Sequence, residues 1–375
     1  MKNRQPLFHV VKRDQAGPGR QLLAYVAAVV LALAVGAMLL SVQDVEPVTF
    51  YRQMLTMGIP GSRYPWRAVE NFIRLFVPLL IVSLALALAF KMRFWNIGGE
   101  GQFIIGAICA GWAAMKLGES LPRPLVVVLM ALCGALGGGL YGVFVAALKV
   151  RFGTNETLLT LMLNYVALYI LQFFAETKAD WNFFLDLESA RPKFAKFPDN
   201  AQMLTIPIGP FNLNLSLVAA VVLCVLIFVY LNYTKRGYEI AVVGDSPNTA
   251  RYAGMKVGKI IIRTIFLSAA LIGMAGAFHV SSAGILSASV TNDVGWTGVV
   301  VAWLAKLNTV GIVVASLLIT VLQFGCQTAS TTYPSIDANF ANLLQGVILF
   351  IVLAADFFTR FKLVTRSKTG KEAAK

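Results

Sequence analysis

The 375 residues are 58% hydrophobic and only 13% charged, with a mean hydropathy of +0.72, which excludes an ordinary soluble domain and describes a polytopic membrane protein. The net charge of +14 raises the question of nucleic acid, but in such a chain Lys and Arg collect in cytoplasmic loops and at lipid headgroups. They are not interleaved with aromatics as on a nucleic-acid-binding surface, so no nucleic acid partner is expected.

In chain order, a basic tail (1–20, with Lys2, Arg4, Lys12, Arg13 and Arg20) precedes an apolar run from Gln21 to Val42. That run is longer than the apolar core of a signal peptide, and no small-x-small cleavage site follows it, so it reads as a first span. A polar stretch, Gln43 to Arg67, leads to a second span, Ala68 to Phe90, closed by Lys91 and Arg93. Further runs of spanning length follow at Gly101–Leu117, Leu125–Leu148, Thr157–Ala175, Leu213–Leu231, Ile260–Ser282, Gly295–Ala305, Thr309–Gln327 and Phe340–Phe358, the eighth span being short. The expectation is an all-α polytopic bundle of ten transmembrane helices forming one domain, 1–375.

Ten spans put both termini on one side. With that side cytoplasmic, inner segments hold 22 of the 32 Lys and Arg and outer segments hold 10, as the positive-inside rule requires. The segment 176–212 then lies outside, where its charges, prolines and aromatics suit a small structured cap. The tail 360–375 and the loop 233–260 lie in the cytoplasm. Within that loop, Lys235 to Lys259 is the one long basic connection of the second half. It carries helix punctuation: Ser246 as N-cap, Pro247 at the first helical position and Gly254 as a left-handed stop, predicting a short surface helix from Pro247 to Ala253. A structured polar loop between spans calls for a partner on that side.

Polar groups beside the spans are the candidates for chemistry. Asn96, Gly98, Gly99, Glu100 and Gln102 lie between the second and third spans, with Glu100 where a helix N-terminus favours an anion. A glycine-rich turn with a capping carboxylate is the alternative reading. Asn155 and Glu156 open the fifth span, where capping is the plainer role, and Asn164 lies two turns further on. In lipid that amide needs a partner, on another helix or along a path. Asn292 to Gly298, with Trp296 inside it, precedes the eighth span much as Asn96 to Gln102 precedes the third, but from the opposite side of the membrane. Opposed halves with glycine-interrupted short spans point to an inverted repeat and a transport pathway between its halves. His279 reads as a packing residue near the outer end of the seventh span.

Absences narrow the function. The chain has no GxxxxGK[ST], HExxH or GxSxG pattern and no pair of acidic residues deep in one span. Cys109, Cys133, Cys224 and Cys326 sit singly in apolar runs, which indicates neither disulfide nor metal site. A transporter with no motor and no evident ion relay takes its energy from a docked partner. An ion-coupled secondary transporter of a small polar solute and an integral membrane enzyme are the alternatives.

Three segments in order, FWNIGGEGQ (Phe94–Gln102), NETLLTLMLNYVA (Asn155–Ala167) and GDSPNTARYAG (Gly244–Gly254), resemble the permease family of bacterial ABC importers for nucleosides and simple sugars. The NIGGEGQ form is closer to the nucleoside branch than to the ribose branch. The resemblance implies that Gly244, Asp245, Ser246, Pro247, Ala250, Arg251, Tyr252 and Gly254 belong to a coupling helix that docks on a cytoplasmic ATPase. Ser246 stands where the family usually has asparagine, and both residues cap helices. It also implies a second homologous permease, an extracytoplasmic substrate-binding protein, ATP and Mg bound by the ATPase and not by this chain, and residence in the bacterial inner membrane.

Overall fold

The computed structural model describes residues 8–12, 18–60, 62–189, 191–333, 335–336 and 338–365. The two predicted tails, 1–20 and 360–375, fall largely outside the described residues. The chain divides into two compact units, one of Met1–Ser62 with Val321–Lys375 and one of Arg63–Thr320.

In the first unit, strand β1 (Phe8–Lys12) precedes helices α1 (Pro18–Val42) and α2 (Pro47–Thr56). Helix α2 lies in the stretch expected to be merely polar; Pro47 fits its first turn and Phe50 and Met54 give it a buried face. An apolar core joins Ala32, Leu40, Val45, Phe50 and Met54 to Cys326, Ala329, Leu344 and Ile348. The Tyr51 hydroxyl donates to the Leu33 carbonyl at 2.7 Å, tying α2 to α1. Strand β1 pairs antiparallel with a strand at residues 361–365, Phe8 opposite Thr365.

The second unit holds α3 (Pro65–Lys91), α4 (Gly99–Leu117), α5 (Arg123–Phe152), α6 (Glu156–Glu176), strands β2 (Thr205–Ile208) and β3 (Phe211–Asn214), and α7 (Leu215–Tyr233). It continues with α8 (Lys235–Asp245), α9 (Pro247–Tyr252), α10 (Val257–Ala283), α11 (Val294–Leu304) and the start of α12 (Thr309–Ser330). Helix α13 (Ala338–Arg360) and β4 (Phe361–Thr365) complete the chain in the first unit. The centre of the second unit is α10, packed on α3, α4 and α5. Small residues allow that packing. A Cβ on Gly138 would stand 2.8 Å from the Gly273 Cα, so α5 and α10 meet almost backbone to backbone. The Ser268 hydroxyl donates to the Ala85 carbonyl at 2.6 Å and joins α10 to α3.

Each of the ten predicted spans falls on a helix, but they are not ten equivalent crossings. Among the described residues six helices are long and apolar enough to cross a membrane, α3, α5, α6, α7, α10 and α12, or seven if the bent pair α1 and α2 is one span. Helix α4 begins with Glu100 and Gln102 and ends with Lys116, and its polar start is shielded by neighbouring helices rather than by its own composition. Helix α11, with 11 residues, reaches about 16 Å, half of a bilayer core of about 30 Å. The segment 176–212 is structured as expected: Asn182 is fully buried and donates to the carbonyls of Phe174 and Thr177, and β2 and β3 form a hairpin.

Candidate functional site

The two glycine-flanked motifs, distant in sequence, meet in space. Glu100, in the first turn of α4, accepts hydrogen bonds at Oε1 from the backbone amides of Gly295 at 2.9 Å and Trp296 at 3.3 Å. Those amides are among the unpaired donors at the start of α11, where the helix dipole is positive. Two helix N-termini therefore approach each other, and a buried carboxylate from the first turn of one accepts from the amides of the other. The approach requires glycine: a Cβ on Gly99 would stand 3.3 Å from the Gly295 Cα, and one on Gly295 would overlap the Glu100 amide.

A second set of side chains fixes the other flank of the α4 start. Asn164, on the buried face of α6, accepts from the Gly101 amide at 2.8 Å and donates to the Ile97 carbonyl at 2.9 Å. Four residues earlier, the Thr160 hydroxyl accepts from the Ile97 amide at 3.3 Å and donates to the Glu156 carbonyl at 2.7 Å. Asn96 and Gln102 exchange amide hydrogen bonds at 3.0 and 3.1 Å, and Asn96 also accepts from the Gly98 amide. Asn96, Glu100, Gln102, Thr160 and Asn164 are all buried, and each finds partners within the protein. The break in the backbone between α3 and α4 is thus held by side chains, the arrangement that buried irregular backbone needs inside a membrane.

The other predicted residues lie around this junction. Asn155 caps α6, its Oδ1 accepting from the amides of Thr157 at 3.0 Å and Leu158 at 3.2 Å. Glu156 pairs with Lys149 across the turn from α5 to α6. Asn292 and Asp293 both adopt left-handed backbone, φ 43° and 58°, in the turn that delivers α11. Trp296 leaves 41% of its surface exposed, and Asn155 and Asn292 are exposed as well.

Sequence reasoning missed the opposite face of α6. While Thr160, Asn164, Ala167 and Leu171 are buried, Met162, Tyr165, Tyr169 and Phe173 are exposed, Tyr165 by 51% and Tyr169 by 64%. Among the described residues neither tyrosine hydroxyl has a hydrogen-bond partner, although Tyr165 stands at the middle of a helix of spanning length. Bare hydrocarbon is a poor environment for a free hydroxyl, so this face suits water, solute or another polypeptide. The spacing of Tyr165 and Tyr169, one turn apart, was the available signal.

The basic loop forms two helices, not one. Helix α8, begun by the Thr234 cap on the Gly237 amide, was unforeseen. Ser246 ends it and caps α9, accepting from the Thr249 amide at 3.2 Å; Pro247 takes the first position, α9 stops at Tyr252, and Gly254 adopts φ +76°. Ala250 is fully buried, while Arg251 is exposed and Tyr252 is 94% exposed. Gly244 and Asp245 belong to α8, and Gly244 packs on the Lys91 carbonyl at the end of α3. Glu239 of α8 accepts from Arg263 of α10 at 2.8 Å. Among the described residues no group of three His, Cys, Asp or Glu could hold a metal ion.

Residues 68–353 match the family model described as branched-chain amino acid transport system / permease component. The chain is 26% identical over 339 residues to the nucleoside ABC transporter permease protein NupB of Lactococcus lactis subsp. cremoris, covering 89% of this chain and 91% of that protein. It is 28% identical to the guanosine ABC transporter permease protein NupP of Bacillus subtilis, over 93% and 97% of the two chains. To the glucose ABC transporter permease protein TsgB13 of Haloferax volcanii it is 26% identical, over 96% of each. With a family match over most of its length and several helices of spanning length, this multi-pass membrane protein belongs to the branched-chain amino acid transport system / permease component family.

Proposed function

We propose that the chain is the permease subunit of an ATP-driven importer and forms the translocation pathway for nucleosides or related small sugars by alternating access. The observation that carries the reading is the near-full-length similarity to nucleoside and guanosine permeases, joined to a short capped helix that turns Arg251 and Tyr252 outward. An aromatic side chain so exposed on a basic face is a natural anchor for a partner. Helix α9 is the coupling helix, with Gly244, Asp245, Ser246, Pro247, Ala250 and Gly254 shaping its platform, and its partner is a cytoplasmic ATPase that binds ATP and Mg. A second homologous permease and an extracytoplasmic binding protein complete the assembly. The protein resides in the bacterial inner membrane as one permease domain with both termini inside, an orientation supported by the charge bias and by the pairing of β1 with β4.

The pathway runs beside the junction of α4 and α11. Trp296 borders it, and Tyr165 and Tyr169, on the far face of α6, extend its aromatic surface, able to stack on bases or sugars and to hydrogen-bond hydroxyls. Asn96, Gly98, Gly99, Glu100, Gln102, Asn155, Glu156, Asn164 and Asn292 hold the helix ends that border it. The test is uptake and ATP hydrolysis by the reconstituted assembly. Replacing Arg251 and Tyr252 together by alanine abolishes substrate-stimulated hydrolysis while the permease still inserts. Normal coupling in that variant, or uptake that collapses with the ion gradient and survives ATP depletion, refutes the reading.

A further inference from the structure

A cavity of about 670 Å³ opens where the end of α3, the end of α5, the start of α10 and the α8–α9 pair converge. Its lining carries no acidic side chain and brings together Arg93, just past α3, with Lys256 and Lys259 at the start of α10. All three are exposed, and none forms an ion pair among the described residues. Lys149, which pairs with Glu156, and Arg251 also line it, and the rest of the wall is mostly apolar, including Phe94, Val150, Ile261 and Ile262. Arg93 is held there by a left-handed backbone, φ 56°, a conformation that a non-glycine residue adopts at some cost. Arg93 follows one helix of spanning length and Lys256 and Lys259 begin another, and helix ends of that kind are where cations meet lipid phosphates and apolar side chains meet acyl chains.

We propose that this cavity binds the phosphate headgroup of an anionic phospholipid, beside the coupling helix. The phosphate meets Arg93, Lys256 and Lys259, and the glycerol and upper acyl chains lie on Val150, Ile261 and Ile262. A phosphate diester suits the site better than an acidic protein loop because half of the recognition is apolar. A bound lipid there wedges the start of α10 against α9, so the lipid composition of the inner leaflet tunes coupling.

The experiment uses the assembled transporter, purified with its ATPase, in micelles holding equal phosphatidylglycerol and phosphatidylcholine, with bound lipid counted by native mass spectrometry. Each cation near the surface contributes about fivefold to anionic-lipid affinity, so Arg93→Gln with Lys259→Gln lowers the preference for phosphatidylglycerol about thirtyfold. Lys259→Gln alone lowers it about fivefold and serves if the double variant fails to assemble. The charge-matched pair Arg191→Gln with Lys193→Gln leaves the preference unchanged. An unchanged preference in the cavity variants, or an equal loss in both pairs, overturns the proposal. Full displacement of the lipid by millimolar inorganic phosphate makes the cavity a free-anion site, and lipid bound to the permease alone but absent from the assembled transporter makes it part of the ATPase interface; either result also overturns it.

Discussion

Glu100→Ala is the sharpest perturbation of the junction. The carboxylate accepts from two buried backbone amides at 2.9 and 3.3 Å, and nothing else is shown to occupy those donors. Hydrogen bonds to a charged group contribute about 1.5–3 kcal/mol each, and an abandoned buried amide carries its own desolvation cost, so alanine costs about 3–6 kcal/mol. Glu100→Gln keeps an acceptor but gives up the charge, with a smaller loss of about 1–3 kcal/mol from weaker hydrogen bonds and from the helix dipole. The assay pairs thermal unfolding of the purified permease with nucleoside uptake in proteoliposomes. Expected is a graded series, with parent above glutamine and glutamine above alanine, and alanine losing uptake by at least a hundredfold, since about 2.7 kcal/mol already corresponds to that factor. If alanine stays within twofold of the parent in uptake and unfolds at the same temperature, the junction does not hold the two helices. A glutamine variant identical to the parent removes charge from the argument and leaves only the acceptor.

Asn164→Leu leaves the Gly101 amide and Ile97 carbonyl unpaired and lowers the unfolding temperature, with a loss of about 2–5 kcal/mol read by denaturant titration. Gly295→Ala drives a methyl group into the Glu100 amide; it inserts in the membrane but loses uptake, and normal kinetics there exclude close approach as a requirement. Tyr165→Phe with Tyr169→Phe leaves unfolding unchanged, because neither hydroxyl has a partner among the described residues, but raises the KM for nucleoside uptake several-fold; unchanged KM moves the pathway off this face. Gly244→Ala reduces substrate-stimulated ATP hydrolysis more than Glu239→Gln does, checked by the ratio of stimulated to basal rates.

Helix positions were legible because spanning segments must be continuous and apolar, and the caps at Ser246 and Asn155 were legible because their hydrogen bonds are local. The meeting of Glu100 with Gly295 was only hinted at by two similar motifs, since nothing within either stretch specifies a partner 195 residues away. Asn164 stood out as a polar group needing satisfaction, but its role as a clamp on Ile97 and Gly101 depends on how α6 packs on α4. Tyr165 and Tyr169 were not singled out, because one sequence does not separate a helix face turned to its neighbours from one left bare. Helix α8 hid in a polar stretch whose helical character comes from packing of Ile240 and Val243, not from a long apolar run.

In the proposed coupling, how a push on α9 reaches the junction depends on the magnitudes of its attachments. The Glu239–Arg263 pair joins α8 to α10 but is partly exposed, and pairs of that kind contribute about 0–1 kcal/mol, too little to drag a packed helix. Two attachments are stiffer. Residues 253–256 connect α9 covalently to α10, a helix of 27 residues seated on α3, α4 and α5 by backbone-close glycine contacts. Gly244 rests on the Lys91 carbonyl, so displacement of α8 bears on the end of α3, and from there residues 92–98 lead into the start of α4. Both routes converge on the α4 N-terminus, one from the chain before it and one from the helix beside it. What they meet is a joint held by hydrogen bonds that backbone amides donate to Glu100, Asn164 and Asn96 and spaced by Gly99 and Gly295. Such a joint is firm in one arrangement, yet it opens without unpacking an apolar core, because its donors and acceptors can exchange partners. In the proposed pathway these polar groups let α4 and α11 move as ends and leave contact with the solute to the exposed aromatics.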